Sequence, residues 1–256
     1  MEHGVFGSGV PRTLEDVCHP GRMALLVYDM QAGIAGQLAH GPEVTRKVAE
    51  VLGAAREGGF PVFFSRHVSL PKELMGVSQL RQQMAWQRAD RLEDVVSPFP
   101  PGAPQTQIVS ELAPLSGEAV SDKIAMSAFE GTFLGMAMRD LGLVSFAICG
   151  IATEVGIEPT VRHGADLGYI PVVVADACGA GEEAAGRRTL ESLAFAGDSF
   201  VTDVATIRPL LQRFPTVLNQ LASCVYACLL PGSATQDRRR CRARAHQDRS
   251  CPHLRR

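Results

Sequence analysis

At 256 residues, with 46% hydrophobic and 20% charged residues, the chain has the composition of one large globular domain, not of a disordered or fibrous protein. The formal charge of -2 hides an asymmetry: residues 231–256 carry eight arginines against two aspartates, net +6, which leaves residues 1–230 at -8. So acidic a body argues against a nucleic-acid groove built into the fold. The seven cysteines form no C-x-x-C pair, so neither a zinc cage nor a disulfide framework is expected.

The first residues, MEHGVFGSGVPRTLEDVCHPGR, hold an early Glu2 and no apolar run, so they do not read as a secretion signal. With reduced thiols, this points to a cytoplasmic protein. Met23 to Tyr28 (MALLVY) is a continuous apolar run ended by Asp29, the pattern of a strand buried on both faces. Residues 42–57 set Val44, Val48, Val51, Leu52 and Ala55 at helical spacing, with Pro42 near the start and Gly58-Gly59 as the stop. Phe60 to Ser65 reads as the next strand. From Arg66 to about Gln105 the chain reads as a long irregular cover holding the only tryptophan, Trp86. Loops of that length are usually functional.

The second half alternates again. Strands are expected at Ala119 to Lys123, Val144 to Cys149, Tyr169 to Ala175 and Ser199 to Val204, with helices at Thr132 to Leu141, Thr153 to Leu167 and residues 182–196. The pattern predicts an α/β fold in three αβα layers, a mainly parallel sheet covered by helices on both faces. Val217 to Leu230 is interrupted by Asn219 and Gln220 and is shorter than the roughly 20 apolar residues of a membrane span, so no membrane contact is expected. From 231 the Arg-rich tail reads as disordered, with no specific nucleic-acid partner. The domain plan is an extension over 1–19, the domain over 20–215, and a second extension over 216–256.

Ligands of parallel sheets bind beyond the carboxyl ends of strands where the strand order reverses. That rule selects Asp29, Lys123 and the turn at 150–156. Asp29 is either a partly desolvated acid or base, or a strand-end cap. Lys123 is one of only three lysines in a chain with 22 arginines. A lysine at a strand end suggests that a compact, titratable ammonium is needed there. Gly156 lies one turn into a helix, where glycine costs about 1 kcal/mol relative to alanine. It serves either close packing or a substrate that needs room and bare backbone N–H groups. Cys149 and Cys178 could in principle replace a nucleophile, but core filling is the expectation for both. Ser65-Arg66-His67 offers no carboxylate for a metal, and His67 is read as a loop residue.

Three ordered motifs over about residues 20–208 resemble the isochorismatase-like hydrolases, also called cysteine hydrolases. They are LLVYDMQ with Asp29 and Gln31, SDKIAMSAFEGTFL with Lys123 and Phe129, and GIATEVGIEPTVRHGADLGYIPVVVADAC with Thr153, Thr160 and Asp176. The resemblance implies a six-stranded Rossmann-like sheet, catalysis by Asp29 and Lys123, and a non-proline cis peptide at about Ile151-Ala152. Members that cleave C–N bonds usually carry cysteine where this chain has Gly156. Those acting on vinyl ethers are similar to this chain in having glycine there, and protonate the enol carbon so that water can add.

The expected reaction is therefore hydrolysis of a small polar metabolite, vinyl-ether type, without a thiol, metal or cofactor. The alternatives are a lapsed binding homologue, or amide hydrolysis by water at Asp29. The expected site comprises Asp29, Lys123 and Gly156 for catalysis, and Gln31, Phe129, Ile151, Ala152, Val155, Arg66 and Trp86 around the substrate. Arg81, Arg88 and Arg162 are further cationic candidates for a carboxylate, and a homodimer or larger homo-oligomer is expected.

Overall fold

The computed structural model describes Glu2–His3 and residues 9–214. Six strands, β1 (Met23–Tyr28), β2 (Val62–His67), β3 (Ala119–Lys123), β4 (Ser145–Ile151), β5 (Ile170–Gly179) and β6 (Phe200–Thr202), form one sheet in the order β3-β2-β1-β4-β5-β6. All five pairings are parallel. The strand order reverses between β1 and β4, so the ligand crevice of such a sheet lies beyond the ends of these two strands.

Alternation along β1 builds the two halves of the core. Met23, Leu25 and Val27 face one apolar cluster with Val48, Val51 and Leu52 of helix α1 (Gly41–Glu57). Ala24, Leu26 and Tyr28 face the other. Each fully buried side chain of this kind contributes about 1.5–3 kcal/mol, which is why the unbroken run MALLVY forms the centre of the sheet. Helix α2 (Val77–Gln87) lies in the cover, while α3 (Leu134–Asp140), α4 (Glu158–Asp166) and α5 (Glu183–Ala196) contribute Leu134, Met138, Val161 and Leu193 to the second cluster. Helix α6 (Val204–Leu211) returns Ile207 and Leu211 to the first.

Several boundaries differ from the sequence reading. β2 runs on to His67, because Arg66 pairs across the ladder with Asp122 and the strand keeps its partner as far as Lys123. His67 is thus a strand residue and not a loop cap. The cover contains α2, which has no apolar stripe to reveal it: its buried residue is Gln83, while Val77 and Trp86 are exposed. The helix expected from Thr153 opens instead as a π-helical turn over Thr153–Ile157, in which Gly156 and Ile157 both donate to the Ala152 carbonyl. Regular helix then starts at Glu158, with Pro159 in the first turn where a missing N–H costs nothing.

The region expected to be an N-terminal extension contributes Val17 and Cys18 to the core, so it is not wholly peripheral. The compact unit runs to Phe214. The Val217 to Leu230 stretch and the Arg-rich tail lie outside the described residues. Among the described residues, no helix is long and apolar enough to cross a membrane.

Candidate active site

The ends of β1, β2 and β3 lie side by side, with Tyr28 opposite Ser65 and His67 opposite Lys123. This register delivers three polar side chains to one point. Asp29 follows β1 with φ 46°, in the left-handed region that aspartate tolerates better than most residues. Its carboxylate accepts from Ser65 Oγ at 2.6 Å through Oδ1 and from Lys123 Nζ at 2.7 Å through Oδ2. Lys123 is fully buried in its side chain and Asp29 nearly so. The ammonium also donates to the Ala125 carbonyl at 3.2 Å and lies 4.4 Å from the centroid of the Tyr28 ring. A buried ion pair persists only when its remaining hydrogen-bonding capacity is met, and here the ammonium has a partner on three sides.

Ser65 is a member of this cluster that the sequence reading did not single out. Its signal was period two: on β2, Ser65 and His67 share a face, and Arg66 takes the other. The Arg66 guanidinium accordingly forks onto Asp122 at 2.7 and 3.0 Å and reaches Gln107 at 3.2 Å. It is committed to the rim instead of to Asp29. Arg162 is similarly bound to Glu158 and Ser192, and Arg81 and Arg88 are exposed.

His67 is buried, and its Nδ1 has no hydrogen-bond partner. Burial, then the neighbouring Lys123 charge, pushes its pKa down to about 4, so the ring is neutral near pH 7. It borders a small cleft shared with Ser69, Met75, Gln79, Gln82 and Ile124.

Gln31, expected to meet substrate, is consumed by backbone. Its amide donates to the His67 and Thr106 carbonyls and accepts from the His67 N–H at 2.6 Å. It clamps the cover segment to the end of β2. Phe129, expected over a ligand ring, packs in the core instead, stacked on Tyr169 at 5.5 Å and edge-on to Phe146. Trp86 is half exposed on α2. The Ile151–Ala152 peptide is cis. Ile151 is buried in the core, while Ala152 and Val155 are partly buried.

The largest correction concerns Gly156. Of the two expectations for it, close packing or room and bare N–H groups for a substrate, the structure bears out the first, and the vacancy expected where relatives hold a thiol is not there. In the structure its N–H is bonded to the Ala152 carbonyl at 3.0 Å, and the space is occupied. A Cβ placed on Gly156 would lie 2.0 Å from Tyr28 Oη and 2.4 Å from Cζ. Tyr28, only 1% exposed, fills the slot with its phenol and donates its hydroxyl to the Met126 carbonyl. Burial, then the Asp29 charge, holds its pKa well above 10, so it is a neutral phenol and not a nucleophile. Among the described residues, neither Cys149 nor Cys178 is an activated thiol. Burial raises the pKa of Cys149 to about 12 and that of Cys178 well above the usual thiol range.

Comparison with known proteins agrees with this frame. The family model described as Isochorismatase domain matches residues 23–206. The chain is 31% identical over 176 residues to ureidoacrylate amidohydrolase RutB of Pseudomonas syringae pv. syringae, covering 62% of this chain and 71% of that protein. It is 29% identical over 168 residues to the isochorismatase family protein YecD of Escherichia coli O157:H7, covering 61% and 79%. Among solved structures, a cysteine hydrolase from Pseudomonas syringae pv. phaseolicola superposes with a TM-score of 0.65 at 24% identity, over 76% of this chain and 94% of that one, a likeness of fold. An isochorismatase family protein from Burkholderia thailandensis superposes with a TM-score of 0.62 at 26% identity, over 75% and 96%. With the match spanning most of the sheet and both sides of the crevice, this chain belongs to the isochorismatase family of hydrolases.

Proposed function

We propose that this protein hydrolyses a small polar metabolite by acid–base catalysis at Asp29, assisted by Lys123, with no covalent enzyme intermediate, and that the bond broken is of the vinyl-ether type. The carrying observation is the buried 2.7 Å pair of Asp29 and Lys123 at the strand-order switch, beside a position 156 that supplies no nucleophile. The Asp29 carboxylate first takes up a proton from water as substrate binds, and then delivers it to the enol carbon. Lys123 and Ser65 then hold the resulting carboxylate, each through one oxygen, while the oxocarbenium ion takes up water. Water returns a proton to Asp29, and the hemiketal collapses into carbonyl and alcohol. A positioned acid of this kind is worth roughly 10²- to 10⁴-fold in rate. We read the enzyme as cytoplasmic, independent of a metal or cofactor, and a homodimer or larger.

A second reading draws on the named relatives. The similarity to a ureidoacrylate amidohydrolase favours a C–N bond, cleaved here by water that Asp29 activates. The filled slot beside Gly156 is equally the observation behind a third reading, a binding homologue that no longer turns over substrate.

The test is a panel of enolpyruvyl ethers, ureides and primary amides, assayed with parent and Asp29→Asn proteins, with labelled water to follow oxygen incorporation. The proposal expects turnover of the ethers, abolished by the substitution. Turnover confined to ureides or amides moves the assignment to the second reading. Ligand-induced stabilisation without turnover of any of them moves it to the third.

A further inference from the structure

We propose that Tyr28 is the specificity-determining residue of this site: its phenol stands where a side chain at position 156 would act, so residues 28 and 156 together exclude attack by the protein on the substrate. The inference rests on the reading that Asp29 and Lys123 work on substrate at this crevice. It adds that the nucleophile position is occupied by a substitute rather than left empty.

Three observations fix the arrangement. The overlap is with the ring as well as its tip, since a Cβ on Gly156 would lie 2.0 Å from Oη, 2.4 Å from Cζ and 2.6 Å from Cε1. Real Cβ atoms essentially never come within 3.0 Å of another heavy atom of this kind, so one partner must move. The ring is held from two sides, by its hydroxyl on the Met126 carbonyl and by the Lys123 ammonium against its face. The turn carrying Gly156 is held as well. Its N–H is on the Ala152 carbonyl, and its carbonyl accepts from Thr160 Oγ1 at 2.7 Å, the same hydroxyl that accepts from the Ala128 N–H. Ring and turn are thus braced against each other through the segment 126–128. With its hydrogen given to Met126, the phenol leaves only acceptor lone pairs toward the slot. Substrates whose reaction needs an acyl carbon within bonding reach of residue 156 are excluded, and those cleaved on the Asp29 side are admitted.

The experiment compares Gly156→Cys, Tyr28→Val and the double substitution in the full chain, with Tyr28→Phe/Gly156→Cys as control. Thermal unfolding gives the stability of each. Iodoacetamide, followed by peptide mapping, reports the reactivity of the introduced thiol, whose thiolate displaces iodide to form a thioether.

The expected result is a lowered Tm and slow alkylation for Gly156→Cys alone, with the Phe control behaving like it because the ring remains. In the Tyr28→Val background alkylation at position 156 should be at least about 100-fold faster near pH 7, as the thiol gains space beside the Lys123 ammonium. The Tm loss caused by Gly156→Cys should also shrink there. Gly156→Cys alone with the parent's Tm and the double variant's reactivity overturns the proposal. So does a double variant less stable than the two single losses together predict, including one that does not fold. Neither readout needs turnover, so failure of the vinyl-ether assignment and failure of this pairing are seen separately.

Discussion

The two halves of the crevice are built on opposite principles. On the side of β1, β2 and β3, charge is buried and met: Asp29, Ser65 and Lys123 share their hydrogen bonds within a few ångströms. On the side of β4 and the turn into α4, the position that would confront the substrate is packed with an aromatic ring. The first half is a cluster of charge whose hydrogen bonds are met within it. The second is a filled volume. The difference teaches that position 156 has to be read together with Tyr28, because a side chain there would overlap the ring.

The charged half should be the more fragile. Lys123→Met leaves a buried carboxylate without its ammonium, and breaking such a pair by removing one partner costs about 3–5 kcal/mol. Denaturant unfolding should show that loss, and Asp29→Asn/Lys123→Met should recover part of it, since no uncompensated charge then remains. Additive losses would mean that the two groups are not energetically coupled, and that the ion pair contributes nothing beyond each side chain's own packing.

His67, on the edge of the charged half, should make stability depend on pH. Its folded pKa is about 4 against about 6.5 for a free imidazole, so between those values the unfolded chain binds a proton that the folded chain refuses. The contribution is full above pH 6.5 and is lost as pH falls towards 4, on the order of 3 kcal/mol in all. The groups facing the ring with charge are Lys123, which opposes protonation, and Asp29, which favours it. His67→Gln should flatten the curve of unfolding free energy in that window. An unchanged slope would assign the pH dependence to other groups.

The packed half should respond to volume. Gly156→Ala places a methyl against the Tyr28 phenol, and overpacking of this kind typically costs 1–3 kcal/mol. Tyr28→Val opens a cavity and is destabilising alone, but the cost of Gly156→Ala should fall in its presence. A double-mutant cycle on the unfolding free energies measures that coupling. Equal costs in both backgrounds would break the comparison between the two halves.

Which of these features could be read in the sequence follows from their physics. Strands β1, β4 and β5 were legible because a buried parallel strand needs an unbroken apolar run. By contrast β3, with the sequence AVSDK, and the short β6 were placed by the alternation of strand and helix, and β2 was found in its apolar part but not in its polar end. Asp29 stood out as a charge closing an apolar run, and Lys123 as a rare lysine at a strand end. Helix α2 was not legible, because it buries a glutamine and exposes Val77 and Trp86, the reverse of the amphipathic signal. Helix α6 carries Pro209 inside it, a residue that argues against a helix in sequence. Gly156 was noticed for its cost, and close packing was one of the two reasons offered, but the residue it packs against was not legible. Period two tells that Tyr28 faces the second core cluster, but only the parallel pairing of β1 with β4 tells that the turn after Gly150 stands across from it.

The smallest expected effect falls on the rim, at Arg66, which the sequence reading offered to a substrate carboxylate. Its fork on Asp122 joins side chains 23% and 40% exposed, where ion pairs contribute at most about 1 kcal/mol and less in high salt. Arg66→Ala should therefore lower stability slightly, and salt should erase most of the loss. If the guanidinium is engaged only by Asp122 and Gln107, the KM of the preferred substrate should change by no more than about two-fold. A rise in KM of about ten-fold with kcat unchanged would mean that Arg66 leaves Asp122 to grip the substrate, because removing uniform binding raises KM alone. The charged half would then extend past the buried pair to the rim, and the substrate would carry an anionic group on that side.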